Sequence, residues 1–292
     1  MSNSRANRPQ SQRTRARGSS TTSGRTAPHH SGDQPTDDQP TEATEATGSP
    51  AVAGRIERPA GPPPAIETQG LAKQYGDAPA LRPLDLRIGG GERISLIGHN
   101  GSGKTTLMRM LVGMLEPSEG TATIAGHPIG SIEARAAVSY LADQPVFYDD
   151  LTVWEHLEYI ARLHGTEDWE QQAVDLVDMV GLMNRVDDLP MTFSRGLKQK
   201  AALTMAFVRP FDVMLIDEPF VGLDRLGKEA LLELLTLAHG DGASLVVATH
   251  ELSSVRESSR LIALSNGEVV YDGDPATADL AALTEGARPD RD

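Results

Sequence analysis

The stretch Gly98-His99-Asn100-Gly101-Ser102-Gly103-Lys104-Thr105, followed by Thr106, decides how this chain is read. It fills every fixed position of G-x-x-x-x-G-K-[ST], a loop whose glycines let the backbone wrap closely round an anion and aim N–H groups at phosphate oxygens. The run Arg93–Ile97 before it is apolar and strand-like, and residues 105–115 after it carry a helical pattern. Strand, loop and helix in that order are the context the motif requires. The expected chemistry is a nucleotide held on a helix start, with Lys104 reaching its β- and γ-phosphates and the Thr105 hydroxyl ligating Mg2+.

Working outward, strand-like segments at Ile66–Leu71 and Leu84–Ile88 precede the turn Gly89-Gly90-Gly91. Apolar spacing turns helical from Trp154 to about Val180, through Leu157, Ile160, Ala161, Leu163, Ala173, Leu176 and Val177. Later, Val213–Ile216, Leu245–Ala248 and Leu261–Leu264 are short apolar runs separated by helical stretches. Strands alternating with helices predict an α/β fold with a mainly parallel sheet. The expected architecture is a P-loop NTPase core with an N-terminal antiparallel β subdomain and an inserted helical subdomain over about residues 145–205. The core domain is expected over residues 65–280, with a flexible C-terminal tail over 281–292.

Residues 1–64 are rich in Ser, Thr, Pro, Gly, Gln and Arg and nearly devoid of large apolar side chains. They offer too little burial to offset the entropy of ordering, so they are expected to be disordered. Six Arg and no acid fall in residues 1–30, an organellar-transit-like bias, but no apolar helical face accompanies them. A weak contact with anionic lipid is the other use of such a segment. The whole chain carries a net charge of −14, and residues 65–292 alone hold 19 basic against 35 acidic residues. So acidic a body is a poor partner for phosphate backbones, and no direct nucleic-acid binding is expected. No apolar run approaches the ~18 residues needed to span a bilayer. Cysteine is absent, which excludes disulfides and thiolate metal sites.

Two further clusters bear on a nucleotide. The strand-like Val213–Ile216 ends in Asp217 and Glu218. Alone, such an acid pair is most often a solvated turn; beside a phosphate loop, Asp217 suits the Mg2+ shell and Glu218 suits a base for an attacking water. Thr249-His250 follows the apolar Leu245–Ala248, and at that strand end His250 suits a γ-phosphate contact. The stretch Phe193-Ser194-Arg195-Gly196-Leu197-Lys198-Gln199-Lys200 opens a second helical pattern with a Ser-x-Gly start. Taken by itself, Ser194 is an ordinary helix N-cap.

In this order these residues resemble the nucleotide-binding domain of the ABC ATPase family, from about Ile66 to Gly273. The resemblance implies that Gly98–Thr105 is Walker A, and that Tyr75 stacks on adenine. Asp217-Glu218 would be Walker B with its glutamate, Gly222-Leu223-Asp224 the D-loop, and His250 the switch histidine. Ser194 and Gly196 stand at the family signature, where Phe193, Arg195 and Leu197 depart from the commoner Leu-Ser-Gly-Gly-Gln. Arg195 removes a glycine and adds a cation beside an anion site; phosphate, solvent or an acid of its own domain are its three possible partners. The family's glutamine that senses Mg2+ and water falls at Asp143, with Gln144 next to it. Asp143 is preferred for that role, and Gln144 is the alternative.

The resemblance further implies ATP and Mg2+ as cofactors, hydrolysis of ATP, and a head-to-tail pair in which Ser194 and Gly196 serve the partner's nucleotide. A second ABC ATPase domain and integral membrane permease subunits are the expected partners, which would hold the chain on the cytoplasmic face of the cell membrane. The cluster Phe147, Tyr148 and Trp154 is the expected permease socket, with internal packing as the plain alternative. The Ser-Arg-Gly signature before Lys-x-Gln-Lys is similar to exporter-type subunits. Chromosome-maintenance ATPases insert long coiled coils where only 90 residues separate Lys104 from Ser194. A ribosome-associated or regulatory ATPase without a permease is the alternative function.

Overall fold

The computed structural model describes residues 63–285. The disordered segment expected over 1–64 therefore lies outside the described residues, apart from its last two.

Two sheets carry the fold. The first is antiparallel, in the order β2 (Ala78–Ile88), β1 (Ile66–Tyr75), β4 (Glu119–Ile124) and β5 (His127–Pro128). The second runs β10 (Glu268–Gly273), β9 (Arg260–Ser265), β3 (Arg93–Ile97), β8 (Ser244–Ala248), β7 (Val213–Asp217) and β6 (Val138–Leu141). Its strands are parallel except for β10, which pairs antiparallel with β9 at the edge.

The parallel strands are covered on both faces, as a sheet with crossover helices must be. Along β7, Val213 and Leu215 point into one apolar cluster and Met214 and Ile216 into another. In β8 the same alternation sends Val246 and Ala248 one way and Leu245 and Val247 the other. The first cluster also takes Leu107, Met108, Met110 and Leu111 of α1 (Lys104–Leu111) and Ile66 and Leu71 of β1, so α1 is packed into a core drawn from both sheets. The second cluster is roofed by α3 (Val153–Leu163), α4 (Trp169–Met179), α5 (Arg195–Phe207) and α6 (Arg225–Gly240). Each fully buried Leu, Ile or Val in these clusters contributes roughly 1.5–3 kcal/mol, which fixes the strand ends that carry the site.

The helical spacing expected over residues 154–180 is met by two helices: α3, started by a Thr152–Glu155 capping box, stops before Gly165 at φ 65°, and α4 follows. The structure departs from the sequence reading in three places. Helix α1 ends at Leu111, ahead of Gly113 at φ 75°. Strands β4 and β6 were not anticipated, because β4 is exposed at its first three residues and β6 is only four residues long. The flexible tail expected from residue 281 is corrected over its first part. Leu280–Glu285 is a helix, α8, and buries Leu283 against Ile97, Val255 and Leu261. The remaining α-helices among the described residues are α2 (Ile132–Ala137) and α7 (Leu252–Val255).

Candidate nucleotide site

Strand β3 delivers the phosphate loop and α1 receives it. Gly103 stands at the N-cap of α1 with φ 108°, and no side chain caps that end. A Cβ on Gly103 would lie 2.8 Å from the Ala80 carbonyl oxygen, so only glycine lets the loop pass this close to β2. The first N–H groups of α1 are left facing a cavity of about 340 Å3, lined by Ala80, Asn100 to Thr106, Asp143, Asp217 and Glu218.

Inside this cavity the charged groups hold one another. Lys104 is buried and donates to the carbonyl oxygens of Gly98 at 2.5 Å and His99 at 3.4 Å. Burial lowers the Lys104 pKa, and the nearby charges of Glu218 and Asp217 oppose that shift. Thr105 Oγ1 donates to Asp217 Oδ2 at 2.7 Å. Burial raises the Asp217 and Glu218 carboxyls, with the Thr105 hydrogen bond the main opposing influence on Asp217 and the Lys104 charge on Glu218.

Glu218 departs locally from relaxed geometry. Its backbone is left-handed at φ 50°, a conformation that costs a non-glycine residue about 1–2 kcal/mol and clusters at functional sites. Its Oε1 is buried with no hydrogen-bond partner, although His250 Nε2 approaches to 3.0 Å. The Ser102 hydroxyl, in the middle of the loop, is likewise buried and unsatisfied. Buried polar atoms of this kind mark places that a ligand or its water completes. Burial and then the Lys104 charge lower the His250 pKa, which favours a neutral imidazole.

The donor set fits Mg2+. A hydroxyl and a carboxylate side by side supply hard oxygen donors, and this cation takes its remaining ligands from water and substrate phosphate. Among the described residues no group of three or more His, Cys, Asp or Glu makes a self-sufficient metal cage. The residues that could hold the cation are Thr105 and Asp217, with Asp143 on the same cavity wall.

Other candidates lie apart. Gln144 lines a second, roughly 580 Å3 groove with Arg109, Tyr140, Val146 and Phe147, while its neighbour Asp143 lines the phosphate cavity. Tyr75, at the end of β1, is 55% exposed, with the Lys73 ammonium 5.3 Å above its ring. Ser194, Gly196 and Asp224 do not line the phosphate cavity. Ser194 caps α5, its Oγ accepting from Leu197 N–H at 3.4 Å. Asp224 caps α6 through Gly227 N–H at 2.8 Å and accepts from Lys200 Nζ at 2.9 Å. Of the expected permease socket, Tyr148 is exposed and packs on Tyr159, Phe147 is mostly buried, and Trp154 packs internally on Trp169.

Two contacts had no signal clear enough to predict. Arg195 Nη2 donates to Asp143 Oδ1 at 2.9 Å, across 52 residues of sequence, and Lys200 reaches the cap of α6. The basic signature was legible; which acids it meets depends on a chain reversal that no local pattern encodes.

Strand, loop, capless helix, buried lysine and paired carboxylates together define a P-loop nucleotide-binding site. The family model described as ABC transporter matches residues 81–221. An ABC transporter ATP-binding protein of Synechocystis is 33% identical over 66% of this chain, and the match spans 56% of that relative's length. The SkfA peptide export ATP-binding protein of Bacillus subtilis is 34% identical over 71% of this chain and 88% of its own. Among solved structures, an ATP-binding subunit of an ABC transporter superposes with a TM-score of 0.69 at 32% identity, covering 77% of this chain and 95% of that one. A dimeric ATP-binding cassette bound to ADP and Pi, in a post-hydrolysis state, gives 0.66 at 25% identity over 72% and 98%. The chain belongs to the ABC transporter family, as an ATP-binding subunit with the ATPase cassette fold. Among the described residues no helix is long and apolar enough to cross a membrane.

Proposed function

We propose that this chain is the ATP-hydrolysing subunit of a membrane exporter, working at the cytoplasmic face as one half of a head-to-tail pair. The observation that carries the reading is the division of the site. Lys104, Thr105, Asp217 and Glu218 surround one cavity, whereas Ser194 and Gly196 stand outside it at the start of another helix. A site so divided suits a nucleotide gripped by one copy and closed by the next.

In this mechanism the loop N–H groups and Ser102 receive the ATP phosphates, and Lys104 Nζ exchanges the Gly98 carbonyl for β- and γ-oxygens. Tyr75 offers its exposed ring to the adenine. Glu218 aligns a water in line with the γ-phosphorus and accepts its proton as the new P–O bond forms and the bond to ADP breaks. His250 holds the Glu218 carboxylate and contacts the γ-phosphate. Mg2+, held by Thr105 and Asp217, would neutralise phosphate charge. Ser194 Oγ and the first N–H groups of α5 complete the γ-phosphate site of the partner copy, while Asp224 fixes α6 beside it. The groove lined by Gln144, Val146 and Phe147 receives the permease. Val146 is 95% exposed there, an apolar side chain suited to a hydrophobic partner. Export is favoured by the Ser-Arg-Gly signature and by the peptide-export relative.

The test is Glu218→Gln in the full chain. It should bind ATP, accumulate as a dimer in size-exclusion chromatography with ATP, and turn over about 100- to 10,000-fold more slowly. Turnover at the normal rate overturns the base assignment. Copurification from native membranes with a polytopic protein supports the transporter reading; a stable ribosome complex sinks it.

A further inference from the structure

The signature helix α5 is fastened to the nucleotide-site loops at two points of opposite character. At one, Lys200 Nζ donates to Asp224 Oδ2 at 2.9 Å, with the lysine side chain only 7% exposed. Gly196 belongs to the same fastening, since a Cβ there would meet the Gly222 carbonyl oxygen at 2.5 Å. Helix α5 and the Gly222–Asp224 turn are thus locked face to face. At the other point, Arg195 Nη2 meets Asp143 Oδ1 at 2.9 Å with the two side chains 59% and 35% exposed. Such a solvent-washed pair is weak and exchanges readily.

The weak fastening is the one that touches the phosphates' cavity. Asp143 lines it with Asp217 and Glu218, so three carboxylates face the place where a polyanion must sit. Burial chiefly raises the carboxyl pKa values of the other two, and the Asp143 charge adds a smaller push in the same direction. A third negative charge there opposes nucleotide binding unless it is neutralised or turned aside. Arg195 pairs with that charge, from a position immediately after Ser194, the residue offered to a second copy's nucleotide.

We propose that Arg195 is a positioning residue that holds Asp143 against α5, and that ATP entering a chain's own cavity exchanges this ion pair. The arriving phosphates repel the carboxylate and attract the guanidinium, so occupancy of one site is reported to the helix start that serves the other. The signature's arginine then couples the two half-sites, with Lys200 as the fixed point about which α5 adjusts. The inference rests on the head-to-tail pairing proposed above.

A double-mutant cycle on the full chain tests it, with Asp143→Asn, Arg195→Gln, the double variant and the exchanged pair Asp143→Arg/Arg195→Asp. ATP hydrolysis is followed as kcat, KM and Hill coefficient, and thermal melting reports folding. Either single variant should lower kcat about tenfold and bring the Hill coefficient towards one, and the double variant should be no slower than the worse single. Melting should hardly change, because the pair is exposed. Recovery of cooperativity in the exchanged pair would be the strongest support. Effects that multiply in the double variant overturn the coupling, and Arg195 would then act alone, on the partner's phosphate. An Arg195→Gln protein with normal kcat and Hill coefficient overturns it too. If the unaltered chain neither pairs with ATP nor shows cooperative turnover, the pairing reading itself fails and this inference falls with it. If the unaltered chain pairs and the cycle is additive, only this inference is lost.

Discussion

Two helix starts in this molecule, one on the phosphate loop and one proposed to serve a partner's nucleotide, are built in opposite ways. Helix α1 opens after Gly103 at φ 108° with no side-chain cap, its first N–H groups and the buried Ser102 hydroxyl left free. Helix α5 opens after Ser194 in extended backbone, and the serine caps it, though at a long 3.4 Å. An uncapped, buried helix start is stable only as a place for a ligand. A self-capped one is stable alone, and its weak cap is easily given up. On the pairing proposed above, the contrast separates a half-site committed to the chain's own nucleotide from one that can wait for another molecule.

The sharpest way to break that separation is to remove one group from each side. Lys104→Ala leaves the cavity without its only cation of the loop, and should abolish ATP binding measured by a fluorescent analogue. Ser194→Ala should bind the analogue as the unaltered chain does, lose ATP-driven pairing, and cost about 1 kcal/mol for the lost cap. Loss of binding in the serine variant would show that both helix starts serve one nucleotide in one chain.

A smaller effect sharpens the second half of the comparison. Gly196→Ala puts a Cβ 2.5 Å from the Gly222 carbonyl oxygen, a backbone atom that cannot simply swing aside. Overpacking of this kind costs roughly 1–3 kcal/mol. In a domain of this size each kcal/mol shifts Tm by about 2–4 °C, so the melt should fall by several degrees. An unchanged Tm would mean that α5 and the turn before α6 are not locked.

The two starts also differed in how far the sequence disclosed them. The α1 site was legible because everything it needs is contiguous: strand, glycines, lysine and helix lie within 93–111, and periodicity reads such segments well. The parallel strands β7 and β8 were legible as apolar runs for the same reason, being buried on both faces. Around α5 the sequence showed a cap and a basic run and no more. That Arg195 meets Asp143, and Lys200 meets Asp224, follows from how β6, α5 and α6 cross, over separations of 52 and 24 residues. Ion-pair partners on exposed side chains leave no periodic trace. For Trp154 the sequence left a docking socket and internal packing both open, because an aromatic on an amphipathic helix reads alike whether it faces a partner or, as here, Trp169.

The smallest expected effect concerns the charge stored at the committed site. Burial raises the Glu218 carboxyl above its ordinary value of 4.5, and the Lys104 charge offsets this only in part. A folded-state pKa above the unfolded one means that the native chain binds the extra proton more readily. Its stabilising contribution is complete below the ordinary value and is lost as pH rises through the raised one. Once ionised, Glu218 is therefore a burden on folding, one that the base role proposed for it would explain. Glu218→Gln should melt higher than the unaltered chain at pH 8, with the gap narrowing on acidification and closing below about pH 4.5. The Ser194→Ala deficit has no titrating group behind it and should stay level across the same range. Removing the Glu218 charge also deprives buried Lys104 of the larger of its two supporting charges, which acts against the gain. The gain should prevail because desolvation outweighs the lysine at Glu218. A lower melt for the glutamine variant at pH 8 would reverse that order, and would make the Lys104–Glu218 attraction the force that holds the site together.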